Sequence, residues 1–139
     1  MQGEAAMYPP LSRYLEVRGF KVATSIRPSA GSPREYDVVG VKPRTRRTVT
    51  IEAKISHFRR AYNQALLRLL VSDIVYVSFP HRYAKHVALV YGDELLRTGI
   101  GLLSVDGRSV RSVLRPHPSD VVSAARRDAL ISMVVNSGA

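Results

Sequence analysis

The chain has 139 residues, a formal net charge of +10 and no cysteine. That length suits one domain covering 1–139. The missing cysteine excludes a disulfide scaffold, a thiolate nucleophile and any zinc site built on thiolates. Hydrophobic residues make up 45%, enough for a packed core, so global disorder is not expected.

No apolar run approaches the roughly 20 residues of a membrane span. The opening MQGEAAMYPP carries neither the basic start nor the apolar stretch of a secretory signal. A cytoplasmic protein is the expectation. Of the 21 basic residues, 17 are Arg and four are Lys. Arg forks match phosphate oxygens bidentately, so nucleic acid is the first partner to consider and an acidic membrane surface the second. A solvated basic surface produces the same charge and binds nothing.

In chain order, a helix is expected from Pro9-Pro10 through LSRYLEVR to Gly19, with proline tolerated in the first turn and glycine closing the end. FKVATSI (20–26) alternates and is β-branched, the pattern of a strand. RPSAGSPR (27–34) has loop composition. EYDVVGV (35–41) and TVTIEAK (48–54), joined by the basic turn KPRTRR (42–47), predict an antiparallel hairpin.

Phe58, Tyr62, Ala65, Leu66 and Leu69 then fall on one face of a helix. Leu67 lies off that face and is expected to touch another element. DIVYVSFP (73–80) has the length and continuity of a buried strand. Residues 83–97 are helical in pattern but interrupted around Gly92. A second hairpin is expected over 100–116, turning at Asp106-Gly107, and a final helix over 119–136 with Ser119 as its N-cap. The order predicts an α/β protein with a mixed sheet flanked by helices.

The chemistry concentrates between Asp37 and Lys54. Glu52 and Lys54 share one face of a strand, and hairpin pairing brings Asp37 toward Glu52. Two carboxylates and a lysine can run metal-assisted phosphodiester hydrolysis, because Mg²⁺ takes hard oxygen ligands and keeps several waters. Lys54 would orient the attacking water or stabilise developing charge. A surface ion pair between Glu52 and Lys54 is the plain alternative. Arg60, Gln64 and Arg68 recur every four residues as a polar stripe that could grip a phosphate backbone or simply face solvent. Arg44, Arg46 and Arg47 in the basic turn are expected to clamp DNA or to form a solvated tip. His57, His81, His86 and His117 have no zinc-like spacing.

The ordered set YPPL-x₃-LE-x-RG (8–19), DVVGV (37–41), E-x-K (52–54), QALLRL (64–69) and D-x-VYV-x-FP (73–80) resembles the PD-(D/E)XK phosphodiesterase superfamily, over roughly residues 4–116. The nearer likeness is to an uncharacterised group of phosphodiesterases within it; archaeal Holliday junction resolvases are more distant. The resemblance implies a restriction-endonuclease-like α-β-β-β-α-β core. It implies metal ligation by Asp37, Glu52 and the Ala53 carbonyl, with Lys54 as catalytic lysine and Gln64 supporting the site. Glu4 or Glu16 would supply the acidic residue that the superfamily often takes from its first helix. Tyr36 stands where a proline usually precedes the first aspartate.

The expected function is a Mg²⁺-dependent endonuclease on DNA, structured or branched, with Mn²⁺ as substitute. Pairing through the apolar parts of the terminal helix or a sheet edge would place two active sites on a duplex, so a homodimer is expected; packing of that helix on its own sheet explains the same apolar surface. The alternatives are an inactive nucleic-acid-binding module of the same fold and an interaction protein with a basic surface.

Overall fold

The computed structural model describes residues 3–27 and 35–137. The expected 27–34 loop therefore falls almost wholly outside the described residues. A six-stranded sheet runs in sequence order, formed by β1 (Lys21–Ile26), β2 (Tyr36–Lys42), β3 (Arg47–Ala53), β4 (Ile74–Pro80), β5 (Gly101–Asp106) and β6 (Ser109–Leu114). The β1–β2, β2–β3 and β5–β6 pairs are antiparallel; β3–β4 and β4–β5 are parallel. Each parallel step needs a crossover, supplied by α2 (Phe58–Arg68) and α3 (His81–Thr98). The chain is thus α/β with a mixed sheet between helices, and its first elements follow the order α-β-β-β-α-β.

Alternation along the strands assigns the two faces. Val38, Val49, Ile51 and Ala53 pack with Met7, Leu11 and Leu15 of the first helical segment. On the opposite face, Val75, Val77 and Phe79 pack with Phe58, Ala61, Tyr62 and Ala65 of α2 and with Val87 and Leu95 of α3. Residues Thr48, Thr50 and Glu52 alternate with the first row and point to this second face. On the same side, α4 (Ala124–Asn136) lays Leu130, Ile131 and Val134 over Val39 and Val41. Packing on its own sheet therefore accounts for much of that helix's apolar character.

Several boundaries differ from expectation for local reasons. The first helix, α1 (Tyr8–Glu16), has its prolines in the first turn as expected, but a 3₁₀ turn over Glu4–Met7 precedes it. α3 runs unbroken through Gly92, which is buried; a Cβ there would come no nearer than 4.0 Å to Leu114. The terminal helix starts one turn later than expected. Ser119 is not its cap: its hydroxyl donates to the Leu69 carbonyl, and its N–H donates to the Asp73 carbonyl. Ser123 caps instead, accepting from the Arg126 N–H. The expected turn at Asp106-Gly107 is present, with Gly107 at φ 60°. No helix among the described residues is long and apolar enough to cross a membrane.

Candidate active site

The site begins where β2 and β3 part. Their ladder reaches the Val38–Ile51 pair. Beyond it the Ala53 N–H donates to the Asp37 carboxylate at 2.8 Å, and the Lys54 N–H donates to the Ser78 carbonyl of β4 at 3.1 Å. So β3 follows β4 while the Asp37 side chain fills the fork. The Tyr8 hydroxyl, in the first turn of α1, donates to the other Asp37 oxygen at 3.1 Å.

A pocket of about 480 Å³ opens at this fork, lined by Glu4, Tyr8, Glu35, Asp37, Lys54, Asn63, Gln64, Leu67 and Arg68. Lys54 lies just past the end of β3, and its Nζ is 3.6 Å from Glu4 Oε1. Glu52 lies deeper: it is 1% exposed, is not among the lining residues, and is paired with Arg68, which is. Its Oε2 accepts from Arg68 Nε at 3.0 Å, while its Oε1 has no partner among the described residues. The other buried polar side-chain atoms without partners among the described residues are Thr50 Oγ1, Ser78 Oγ and Arg127 Nε; Glu52 supplies the carboxylate of that set. A carboxylate oxygen sealed from water without a donor is costly, and an ion that meets it removes the cost.

Electrostatics agree with the geometry. Burial pushes the Glu52 carboxyl up to about 7; the adjacent Arg68 charge opposes that, and the Asp37 charge adds to it. Burial also raises the Asp37 carboxyl, against the lowering effect of the Ala53 and Tyr8 hydrogen bonds and the Lys54 charge. The Tyr8 phenol is raised by burial and by the neighbouring Asp37 charge. In both acids the largest cause is burial, which disfavours the charged carboxylate.

Among the described residues, no three His, Cys, Asp or Glu side chains come together as a metal site. That donor set does not suit a closed protein cage. Two carboxylates are enough protein chemistry for a hard ion that keeps most of its water, and Asp37 and Glu52 are the carboxylates at this end of β3.

The structure brings Asp37, Lys54, Gln64 and Glu4 to one pocket, with Glu52 beneath it. It separates the two acidic candidates of the first helical segment: Glu4 lines the pocket, whereas Glu16 is exposed at the end of α1 and is not among its lining residues. The solvent-facing alternative for Arg68 requires a correction. The residue is 5% exposed and bonded to Glu52, and it lines the pocket with Gln64, because the last turn of α2 lies over β3.

Arg46 is exposed but paired with Asp128 of α4 at 2.6 Å, so it ties the hairpin tip to that helix. Arg44, Arg47 and Arg60 are exposed. Leu67 is 43% exposed and lines the pocket. Sequence reasoning did not assign Tyr8, Glu35 or Asn63 to the site. Tyr8 and Asn63 carry a trace of it, one within the YPPL run and the other directly before Gln64; Glu35 has none beyond its place two residues before Asp37.

No protein-family model and no curated protein matches this chain. Among solved structures it is similar to the SPO1766 protein of unknown function from Silicibacter pomeroyi. The TM-score is 0.73 at 24% identity, covering 99% of this chain and 86% of that one, which is a likeness of fold.

Proposed function

We propose that the protein is a Mg²⁺-dependent nuclease that hydrolyses phosphodiester bonds in DNA, with Mn²⁺ able to substitute. The observation that carries this reading is the buried Glu52 carboxylate, with one oxygen lacking a partner, beneath a pocket that contains Asp37 and Lys54.

A divalent ion held there would supply polarisation of the scissile phosphate and a more acidic water. Asp37 and Glu52 would hold it, with the Ala53 carbonyl as a further oxygen. Asp37 is aimed by two donors, the Ala53 N–H and the Tyr8 hydroxyl, and so keeps one orientation. Lys54 Nζ, loosely paired to Glu4, is free to turn onto a phosphate oxygen or an attacking water as charge develops. Gln64 and Asn63 offer amide donors at the pocket wall. The net charge of +10 and the exposed Arg44, Arg47 and Arg60 suit a phosphate backbone read without base contacts.

One observation favours the rival, a nucleic-acid-binding module of this fold without chemistry. Glu52 is closed from solvent and already paired to a cation. The deciding experiment is cleavage of plasmid, single-stranded and branched DNA with Mg²⁺, Mn²⁺ or EDTA, using wild type, Glu52→Ala and Lys54→Ala. The nuclease reading expects metal-dependent cleavage that both variants lose. Salt-sensitive binding without cleavage on any substrate would leave the binding module. Undiminished cleavage by both variants would move the active site elsewhere.

A further inference from the structure

Arg68 lies in the last turn of α2, where four-residue spacing from Arg60 and Gln64 points to solvent, yet it is 5% exposed. Three groups hold its guanidinium. Nε donates to Glu52 Oε2 at 3.0 Å, a terminal nitrogen donates to the Glu35 carbonyl at 3.2 Å, and Cζ stands 4.0 Å from the centre of the Tyr36 ring. Two of the three do not involve Glu52, so the fork is anchored independently of the carboxylate. Expelling the guanidinium would forfeit the stacking and the carbonyl bond together, whereas sharing the carboxylate forfeits neither. Oε2 takes the Arg68 bond, and Oε1 has no partner among the described residues.

We propose that Arg68 is a positioning residue for the divalent-ion site: it remains bonded to Oε2 and presents Oε1 of Glu52 to the ion. This inference rests on the nuclease reading and adds to it a residue that acts through Glu52. Outer partners of ligating carboxylates commonly set metal affinity by about 10–100-fold. The opposing arrangement makes Arg68 a stand-in cation that the metal displaces. It predicts the opposite sign, with tighter metal binding once Arg68 is removed.

The test is Mn²⁺ binding by calorimetry, without nucleic acid, to wild type, Glu52→Gln, Arg68→Met and Arg68→Lys, each checked for folding by circular dichroism. Wild type is expected to bind, and Glu52→Gln to lose that binding. Arg68→Met should weaken it by about 10-fold or more, and Arg68→Lys, which keeps the charge and a donor, should recover part of the loss. A folded Arg68→Met that binds as tightly as wild type, or more tightly, overturns the proposal and leaves the nuclease reading standing.

If Arg68→Met does not fold, Mg²⁺ titration of ¹⁵N-arginine-labelled wild type asks the same question. The Arg68 Nε–H signal stays slow to exchange with water if the bond persists. Its loss on saturation overturns the proposal. A wild type that does not bind Mn²⁺ overturns the nuclease reading and this inference together.

Discussion

At the start of β3, the Thr48 N–H and hydroxyl both donate to Asp73 Oδ2, and Arg127 donates to Oδ1 at 3.1 Å. The Asp73 N–H returns a bond to the Thr48 hydroxyl, and the Asp73 carbonyl accepts from Ser119. At the far end of the same strand, Glu52 is more deeply buried, has a single donor, and keeps one oxygen unpartnered. The first carboxylate is saturated by the chain, so its work is to join β3, β4 and α4. The second is left incomplete where the sheet forks open beside a pocket. A protein that needed Glu52 for stability alone would have a less costly solution in an apolar side chain of similar volume. On the proposed reading, the contrast separates a carboxylate that holds the fold from one kept for a ligand.

The largest expected effect breaks the open end. Glu52→Gln or Lys54→Ala should lower metal-dependent DNA cleavage by roughly 10²-fold or more, while circular dichroism stays native. The saturated end responds in the other currency. Asp73→Ala removes the acceptor of three bonds and leaves the partly buried Arg127 without its partner, so stability should fall by about 2–3 kcal/mol. Urea unfolding checks this, and cleavage per folded molecule should persist.

Linkage sharpens the comparison further. Glu52 has a carboxyl raised from its ordinary 4.5 to about 7, so the folded state holds the proton more tightly than the unfolded chain. Its contribution is fully present below pH 4.5 and is lost as pH rises through about 7. In EDTA, wild type should therefore lose stability relative to Glu52→Gln across that window. The slope has an upper bound of about 1.4 kcal/mol per pH unit. A flat difference between pH 5 and 8 would show that burial does not perturb Glu52. The smallest effect belongs to the hairpin tip. Arg46→Ala breaks an exposed ion pair with Asp128 and should change stability by less than about 1 kcal/mol, in a salt-sensitive way.

The elements that frame the site were legible because period and punctuation agree there. EYDVVGV and TVTIEAK around a basic turn specify a hairpin, and Phe58, Tyr62 and Ala65 specify the buried face of α2. Extending the hairpin register one step past the Val38–Ile51 pair brings Asp37 toward Glu52. The inward turn of Arg68 was not legible, since four-residue spacing reads as a solvent stripe until the helix is laid across β3. Nor was the choice between Glu4 and Glu16. Glu16 lies on the evident helix, whereas Glu4 reaches the pocket from a 3₁₀ turn that depends on packing of Met7 into the core. The unbroken path of α3 through Gly92 has the same origin, because burial against neighbours outweighs the modest helix cost of one glycine.

The most direct test is a crystal grown with Mn²⁺ and measured for anomalous scattering at the manganese edge. The account predicts a peak within about 2.5 Å of both an Asp37 oxygen and Glu52 Oε1. An ordered, fully occupied lattice with no peak there, or with manganese bound only at other residues, would contradict it.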